Sequence, residues 1–180
     1  MVTIKYFVHG TTTDNLTGKC TGWQNGELSP KGIQQGIDLA HTIKDQHFDI
    51  VFCSDLTRAI ESAKLNFYNR DIKIKKDKRI RECNYGDYTG QGEKLVYYPD
   101  YINKRFPNGE SLKDVQKRIE SFCRMLKQKH DGKTVAIVAH RSPQLALDVI
   151  TNKKTWEQAL KDDWRNEKKW QPGWEYKWLK

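Results

Sequence analysis

Four residues of this sequence carry side chains that could together do what none does alone: His9, Arg58, Glu82 and His140. A neutral imidazole can attack phosphorus and hold the transferred group, which splits one hard displacement into two easier ones. A second imidazole and a guanidinium can donate hydrogen bonds to the equatorial oxygens, where charge accumulates. A carboxylic acid can protonate a leaving alcohol oxygen and then, as carboxylate, take a proton from the attacking water. The set suits phosphoryl transfer and requires no metal or cofactor. The histidines also lack the H-E-x-x-H spacing of a metalloprotease helix.

Each residue taken alone has a plainer reading. A histidine that ends a strand is commonly a hydrogen-bonded turn residue. Arg58 could pair with Asp55, and Glu82 could balance Arg79 and Arg81. What favours chemistry is convergence at one place, so the elements that carry these residues decide the matter.

Val2–Val8 is rich in β-branched and aromatic residues and stops at His9-Gly10, as a strand would. Residues 16–30 read as a polar loop. Across 31–46 the residues Ile33, Ile37, Ala40 and Ile43 recur at helical spacing, with Pro30 just ahead of the first turn. Residues 48–53 read as a buried strand, after which Ser54, Asp55 and Thr57 offer caps for a helix through Arg58, Ala59 and Ala63 to about residue 67. Residues 72–74 form a short third strand. Ser111, with Asp114 three residues on, opens a helix that places Val115, Ile119, Phe122 and Leu126 on one face. The apolar run 135–139 is a strand ending at His140, and Ser142-Pro143 starts a helix through Leu145, Leu147 and Ile150.

This alternation predicts an α/β fold, with three α/β/α layers and a mostly parallel central sheet. In such sheets the ligand crevice lies beyond the carboxyl ends of the strands. His9, the stretch 54–58 and His140-Arg141 each follow such an end, so three separated segments deliver two histidines and Arg58 to one rim. Glu82 sits among Arg79, Arg81, Gly86 and aromatic residues rather than on an evident helix face.

The global numbers are compatible with this picture. A chain of 180 residues suits a single domain over 1–180, large enough to bury its apolar surface without disulfides. No signal peptide and no apolar run long enough to span a bilayer is visible, so no membrane partner is expected. Cys20, Cys53, Cys83 and Cys123 form no C-x-x-C pair, and a reducing, cytoplasmic setting is the default. The net charge of +9 comes from lysines and arginines spread along the chain, with no nucleic-acid-binding signature around them. Small anions, not specific nucleic acid, are the expected partners, and no pattern specifies an oligomeric state.

In their order along the chain these motifs resemble the histidine phosphatase superfamily, also called phosphoglycerate-mutase-like. The likeness runs from about Lys5 to Ile150. The family opening, Arg-His-Gly-Glu-Thr-x-x-Asn, corresponds to Val8-His9-Gly10-Thr11-Thr12-Thr13-Asp14-Asn15. Ser54-Asp55-Leu56-Thr57-Arg58-Ala59, Arg81-Glu82-Cys83-Asn84-Tyr85-Gly86, Asn108-Gly109-Glu110-Ser111 and Val138-Ala139-His140 correspond to the later motifs. The resemblance implies that His9 is phosphorylated, Arg58 binds the phosphoryl group, Glu82 is the general acid/base and His140 is the second catalytic histidine. Gly10 and Asn15 join Arg58 in the expected phosphate-binding set.

Three departures from that pattern stand out: Thr11 for a glutamate, Val8 for an arginine that contacts phosphate, and Arg141 for a glycine. A valine donates no hydrogen bond, so a charge-assisted contact typically worth about 1.5 to 3 kcal/mol is lost. Either Arg141 enters the pocket and replaces the missing cation, or the domain is a catalytically weak protein that binds a phosphorylated ligand. The interval 82–108, with Tyr97, Tyr98 and Tyr101, has room for a modest cap only. A short cap admits water, so a metal-independent phosphomonoester hydrolase acting on a small phosphorylated substrate is expected, with mutase-type transfer as the alternative.

Residues 151–180 lie beyond the motifs and hold Trp156, Trp164, Trp170, Trp174 and Trp178. They read as a helix and then an edge strand whose indoles cover the core. The alternative is that some of these aromatics line the substrate entrance. Pro172-Gly173 marks a break before the last strand.

Overall fold

Alternation of side chains along each strand divides the core into two halves. A computed structural model describes residues 1–167, 170 and 173–179. In chain order its strands are β1 (Val2–Val8), β2 (Ile50–Cys53), β3 (Ile74–Lys76), β4 (Thr134–Ala139) and β5 (Trp174–Trp178). Its α-helices are α1 (Thr13–Leu16), α2 (Pro30–Thr42), α3 (Thr57–Asn66), α4 (Leu112–His130), α5 (Arg141–Thr151) and α6 (Trp156–Lys161). Val2, Ile4, Tyr6 and Val8 of β1 pack with Phe52, Val135 and Ile137 against α4 and α5, while Phe7, Val51, Ala136 and Val138 pack on α2 and α3. That period of two is what a strand buried on both faces requires.

The sheet order is β3-β2-β4-β1-β5. β1 to β4 are parallel, and β5 runs antiparallel on β1, with Ile4 opposite Tyr176. The register places Val8 opposite Ala139 and Cys53 opposite Val138. The residues that follow, His9, Ser54 and His140, therefore leave the sheet along one rim.

Several local expectations need correction. Ile33 is 42% exposed, and the inward face of α2 is Gly32, Gly36, Leu39 and Ala40. Two glycines face inward because backbone must come close: a Cβ on Gly32 would meet the Thr11 oxygen at 2.1 Å, and one on Gly36 would meet Leu65 Cβ at 2.9 Å. Helix α3 starts at Thr57 with Leu56 as its N-cap and no side-chain cap bond. Asp55 is drawn off instead by Arg81, which holds both its carboxylate oxygens at 2.6 Å. The third strand lies at Ile74–Lys76, two residues later than its apolar signal suggests. Helix α5 begins at Arg141 with His140 as N-cap, so Ser142 and Pro143 occupy its first turn. A short α1, closed by a capping box between Thr12 and Asn15, precedes the expected polar loop, which runs on to the start of α2 at Pro30.

Helix α4 follows its sequence signal, with a Ser111 and Asp114 capping box and Val115, Ile119, Phe122 and Leu126 buried. Fully burying each such side chain is worth about 1.5 to 3 kcal/mol, which makes this face a main anchor of the sheet. Beyond α5, Trp156 and Trp178 are buried in the core and β5 completes one sheet edge. Pro172 lies outside the described residues, and the last strand begins at Trp174. The four cysteines are buried and free. No helix among the described residues is long and apolar enough to cross a membrane.

Candidate active site

His9 extends β1 by one bond, its N–H donating to the Ala139 carbonyl at 3.0 Å. A glycine must follow, because a Cβ on Gly10 would stand 2.4 Å from the Gly32 oxygen. The Gly10 N–H donates to Ser62 Oγ at 3.0 Å, and that hydroxyl donates to the Arg58 carbonyl at 2.8 Å. The end of β1 is thus tied to the start of α2 and to the first turns of α3.

The tautomer of His9 follows from its own neighbour. Nδ1 lies 2.7 Å from the Gly10 carbonyl oxygen. A carbonyl only accepts, so Nδ1 carries the proton of the neutral ring and the lone pair sits on Nε2. Burial and the adjacent Arg58 guanidinium lower the pKa of this ring from 6.5 to about 3, which keeps it neutral at pH 7. Arg58, only 2% exposed, donates from Nε to His9 Nε2 at 3.3 Å. Its Nη1 and Nη2 donate to the carbonyls of Gln24 and Gly22 at 2.9 and 2.8 Å, which lock the guanidinium in place.

His140 is fully buried, with its ring centroid 5.1 Å from that of His9 and the planes inclined at 62°. Burial first, then Arg58 and His9, hold its pKa well below the usual histidine range. Both ring nitrogens are buried without a hydrogen-bond partner among the described residues. The backbone of His140 is gripped by Tyr6, whose hydroxyl donates to the carbonyl at 2.6 Å and accepts from the N–H at 3.0 Å.

Glu82 comes from the loop before α4. Its Oε1 accepts from the Cys83 N–H at 2.7 Å and from the Ser142 N–H at 3.1 Å, which turns the carboxylate toward the start of α5. The loop itself hangs on Arg118 of α4, which donates to the carbonyls of Arg79, Arg81 and Glu82 while its fork holds Glu110. Glu110, from the Asn108-Gly109-Glu110-Ser111 stretch, in turn accepts from the Asn84 N–H at 2.9 Å.

His9 and Glu82 line a cavity of about 360 Å³, together with Asn15, Lys31, Arg141 and Trp164. His9, Asn15, Arg58 and Glu82 also line an adjoining recess of about 40 Å³. The structure therefore brings His9, Arg58, Glu82, His140, Asn15 and Gly10 to one spot. A neutral imidazole, two further nitrogen-rich side chains and a carboxyl group round one small space are groups that phosphoryl-transfer chemistry can use. Among the described residues, no three His, Cys, Asp or Glu side chains are grouped as a metal site needs.

Comparison with known proteins gives this arrangement a family. The model of the histidine phosphatase superfamily (branch 1) matches residues 7–150. The chain belongs to the histidine phosphatase superfamily. Phosphoserine phosphatase 1 of Hydrogenobacter thermophilus is 27% identical over 157 residues, covering 82% of this chain and 74% of that protein. The 2,3-bisphosphoglycerate-dependent phosphoglycerate mutase of Cytophaga hutchinsonii is 33% identical over 153 residues, covering 77% and 72%. Among solved structures, Bacillus stearothermophilus YhfR superposes with a TM-score of 0.79 at 27% identity, covering 88% of this chain and 84% of that one.

Against the superfamily pattern, the departures can now be located. Val8 is buried, lines the main cavity and contributes no donor to it. Thr11 lines the same cavity, and its backbone is held by Gln35 and Ser29. Arg141 also reaches the cavity wall, with its guanidinium 2.5 Å from Asp163 and stacked 4.0 Å from the Tyr98 ring centroid.

Lys31 and Arg165 carry no sequence signal that singles them out, whereas Trp164 and Trp170 belong to the Trp-rich tail. Lys31 is one of many lysines, and Arg165, Trp164 and Trp170 reach the cavity from the segment beyond the superfamily match. Trp170 donates its indole N–H to the His9 carbonyl at 3.3 Å, so part of the Trp-rich tail does line the entrance. Tyr6 and Arg118 act on backbone carbonyls, a role that residue type alone does not mark.

Proposed function

We propose that the protein is a phosphomonoester hydrolase that works through a phosphohistidine on His9. The observation that carries this reading is the tautomer: Nδ1 is pinned on the Gly10 carbonyl, so the Nε2 lone pair faces Arg58 beside His140 and Glu82. In the first step His9 Nε2 attacks phosphorus and the bond from phosphorus to the ester oxygen breaks. Glu82, as the acid, gives its proton to the departing alcohol oxygen. In the second step water attacks phosphorus and the P–N bond breaks. Glu82, now carboxylate, takes the water proton, and inorganic phosphate leaves with Glu82 restored as the acid.

Arg58 and a neutral His140 donate to the equatorial oxygens through the transition state. A phosphoryl oxygen would also satisfy a His140 ring nitrogen that has no partner among the described residues. Asn15 lines both the recess and the larger cavity, the Gly10 N–H being spent on Ser62, and the larger cavity takes the alcohol part of a small substrate. The relatives named for phosphoserine and phosphoglycerate support esters of that size. No metal enters the scheme.

A mutase must retain the intermediate while its product reorients. Between Glu82 and Asn108 the chain forms only short 3-10 turns at Gly86–Tyr88, Glu93–Leu95 and Tyr98–Tyr101. So modest a cover favours water as the acceptor. The test is a panel of phosphate esters scored for released phosphate in the presence of a chelator, with His9→Ala as control. Phosphate release that vanishes in His9→Ala is expected. Activity that strictly needs added metal, or that survives His9→Ala, would overturn the mechanism.

A further inference from the structure

Loss of the motif arginine at Val8 leaves the phosphoryl site short of a cation, and the structure offers a replacement from a different part of the chain. We propose that Arg165 supplies the second guanidinium to the phosphoryl group, and that Arg141 and Asp163 are positioning residues that present it. The proposal rests on reading the cavity as a phosphoryl-transfer site.

Arg165 lies in the 3-10 turn Trp164–Glu167, past the end of the superfamily match at residue 150. It lines the main cavity with Val8 and His9, and also the small recess with Arg58 and Glu82. Arg58 by itself is a sparing donor there. Three of the N–H groups of its guanidinium already serve His9 Nε2, Gln24 and Gly22, out of the five such a group possesses. A transferring phosphoryl group spreads charge over three oxygens and calls for further donors.

Arg165 has them in suitable form. Its Nη1 and Nη2 grip the two carboxylate oxygens of Glu93, with Nη2 to Oε2 at 2.6 Å. A fork that holds a carboxylate through two parallel bonds matches phosphate equally well, so an incoming dianion can take it over from Glu93.

Arg141 is differently placed. Its guanidinium is held by Asp163, whose side chain is 0% exposed, and by the face of Tyr98. The Nη1 of Arg141 is buried without a partner among the described residues. The other oxygen of Asp163 accepts the backbone N–H of Arg165 at 3.0 Å. Arg141 thus fixes Asp163, and Asp163 fixes the turn that carries Arg165. The arginine in place of a glycine and the valine in place of an arginine then share one explanation: the phosphate cation comes from the C-terminal segment, and Arg141 anchors that segment.

The experiment measures inorganic phosphate affinity by calorimetry and kcat/KM on p-nitrophenyl phosphate for the wild type, Arg165→Ala, Arg165→Lys, Arg141→Ala, Asp163→Asn and the double variant Arg141→Ala/Arg165→Ala. Arg165→Ala should weaken phosphate binding and lower kcat/KM by at least about tenfold, and added methylguanidinium should restore part of the rate. Arg165→Lys, which keeps a charge and most of the packing, should fall between and carries the test if the alanine variant does not fold. Arg141→Ala and Asp163→Asn should each lower both quantities in the wild type, yet Arg141→Ala should add less than about threefold when Arg165 is already alanine. A change below twofold in both readouts for Arg165→Ala would overturn the proposal. So would an Arg141→Ala effect that is as large without Arg165 as with it, since that places Arg141 on the phosphate itself. A wild type that binds phosphate through Arg165 but hydrolyses nothing would remove the hydrolase reading and leave this one standing.

Discussion

The rim where β1, β2 and β4 end and the C-terminal wall of Trp164, Arg165 and Trp170 face the same cavity but are built by different means. On the rim the two histidines are placed by the regular ladder: the register sets Val8 opposite Ala139, so His9 and His140 leave the sheet side by side. Among the described residues the C-terminal wall has no ladder. Asp163, Arg165 and Trp164 are placed by ion pairs and aromatic contacts, Arg141 to Asp163, Glu93 to Arg165, and Trp164 against Trp174. A ladder admits few alternatives, because a shift of one residue turns every side chain to the other face. Ion pairs and indole contacts can be redistributed without disturbing the sheet. On the proposed function the rim carries the reacting groups, while the wall adds the Arg165 guanidinium and contacts the alcohol part of the substrate.

That contrast can be broken at several points. His9→Ala should lower kcat by at least about 10⁴-fold, since loss of a nucleophile removes the whole covalent route. A smaller loss, measured by steady-state phosphate release, would mean that the rim is not the reacting centre. Glu82→Gln should lower the rate on alkyl phosphates by about 10²- to 10⁴-fold and much less on p-nitrophenyl phosphate, whose leaving group needs no proton. Equal losses on both ester types would assign Glu82 to binding, not to proton transfer.

Tyr6→Phe sharpens the comparison from beneath the site. Removing the hydroxyl leaves the N–H and carbonyl of His140 without this partner in a buried place, at a cost of about 1 to 3 kcal/mol. Urea unfolding should show that loss, together with a fall in kcat larger than any change in KM; unaltered kcat would confine Tyr6 to stability. On the wall, Trp164→Ala should raise KM by no more than about tenfold and affect kcat less, as expected of a residue that contacts the alcohol part alone. A dominant effect on kcat would erase the division between wall and rim.

The smallest effect concerns pH. Unfolded, the His9 ring takes up a proton as pH falls through 6.5, whereas folded it does so only near about 3. The unfolded chain then binds the extra proton, so acidification across this window destabilises the fold and raising the pH restores it. Urea midpoints at pH 7 and pH 4.5 should fall further for the wild type than for His9→Ala, by an amount equivalent to at most one proton. Identical pH dependence in the two proteins would place a protonated His9 in the native state.

Much of this was open to reading from the chain because it depends on short-range rules. Strand runs that stop at His9 and His140, and a capping box at Ser111, are local signals that the tertiary structure keeps. Where local signals failed, a longer-range contact prevailed. Ile33 is turned outward because Gly32 and Gly36 allow backbone and helix to meet, and Asp55 leaves the start of α3 for Arg81. Arg165 was not legible at all, since nothing in its neighbourhood marks it out from the many other cations of the chain.

By itself the sequence determined the fold class, the order of the main elements and which four residues, His9, Arg58, Glu82 and His140, to look for together, because strand period, caps and motif order act over a few residues. The tertiary structure decided which nitrogen of His9 keeps its lone pair, what Arg58 is tied to and what Arg141 holds. Those depend on a carbonyl, two loop oxygens and a buried carboxylate whose positions exist only once distant segments have packed together.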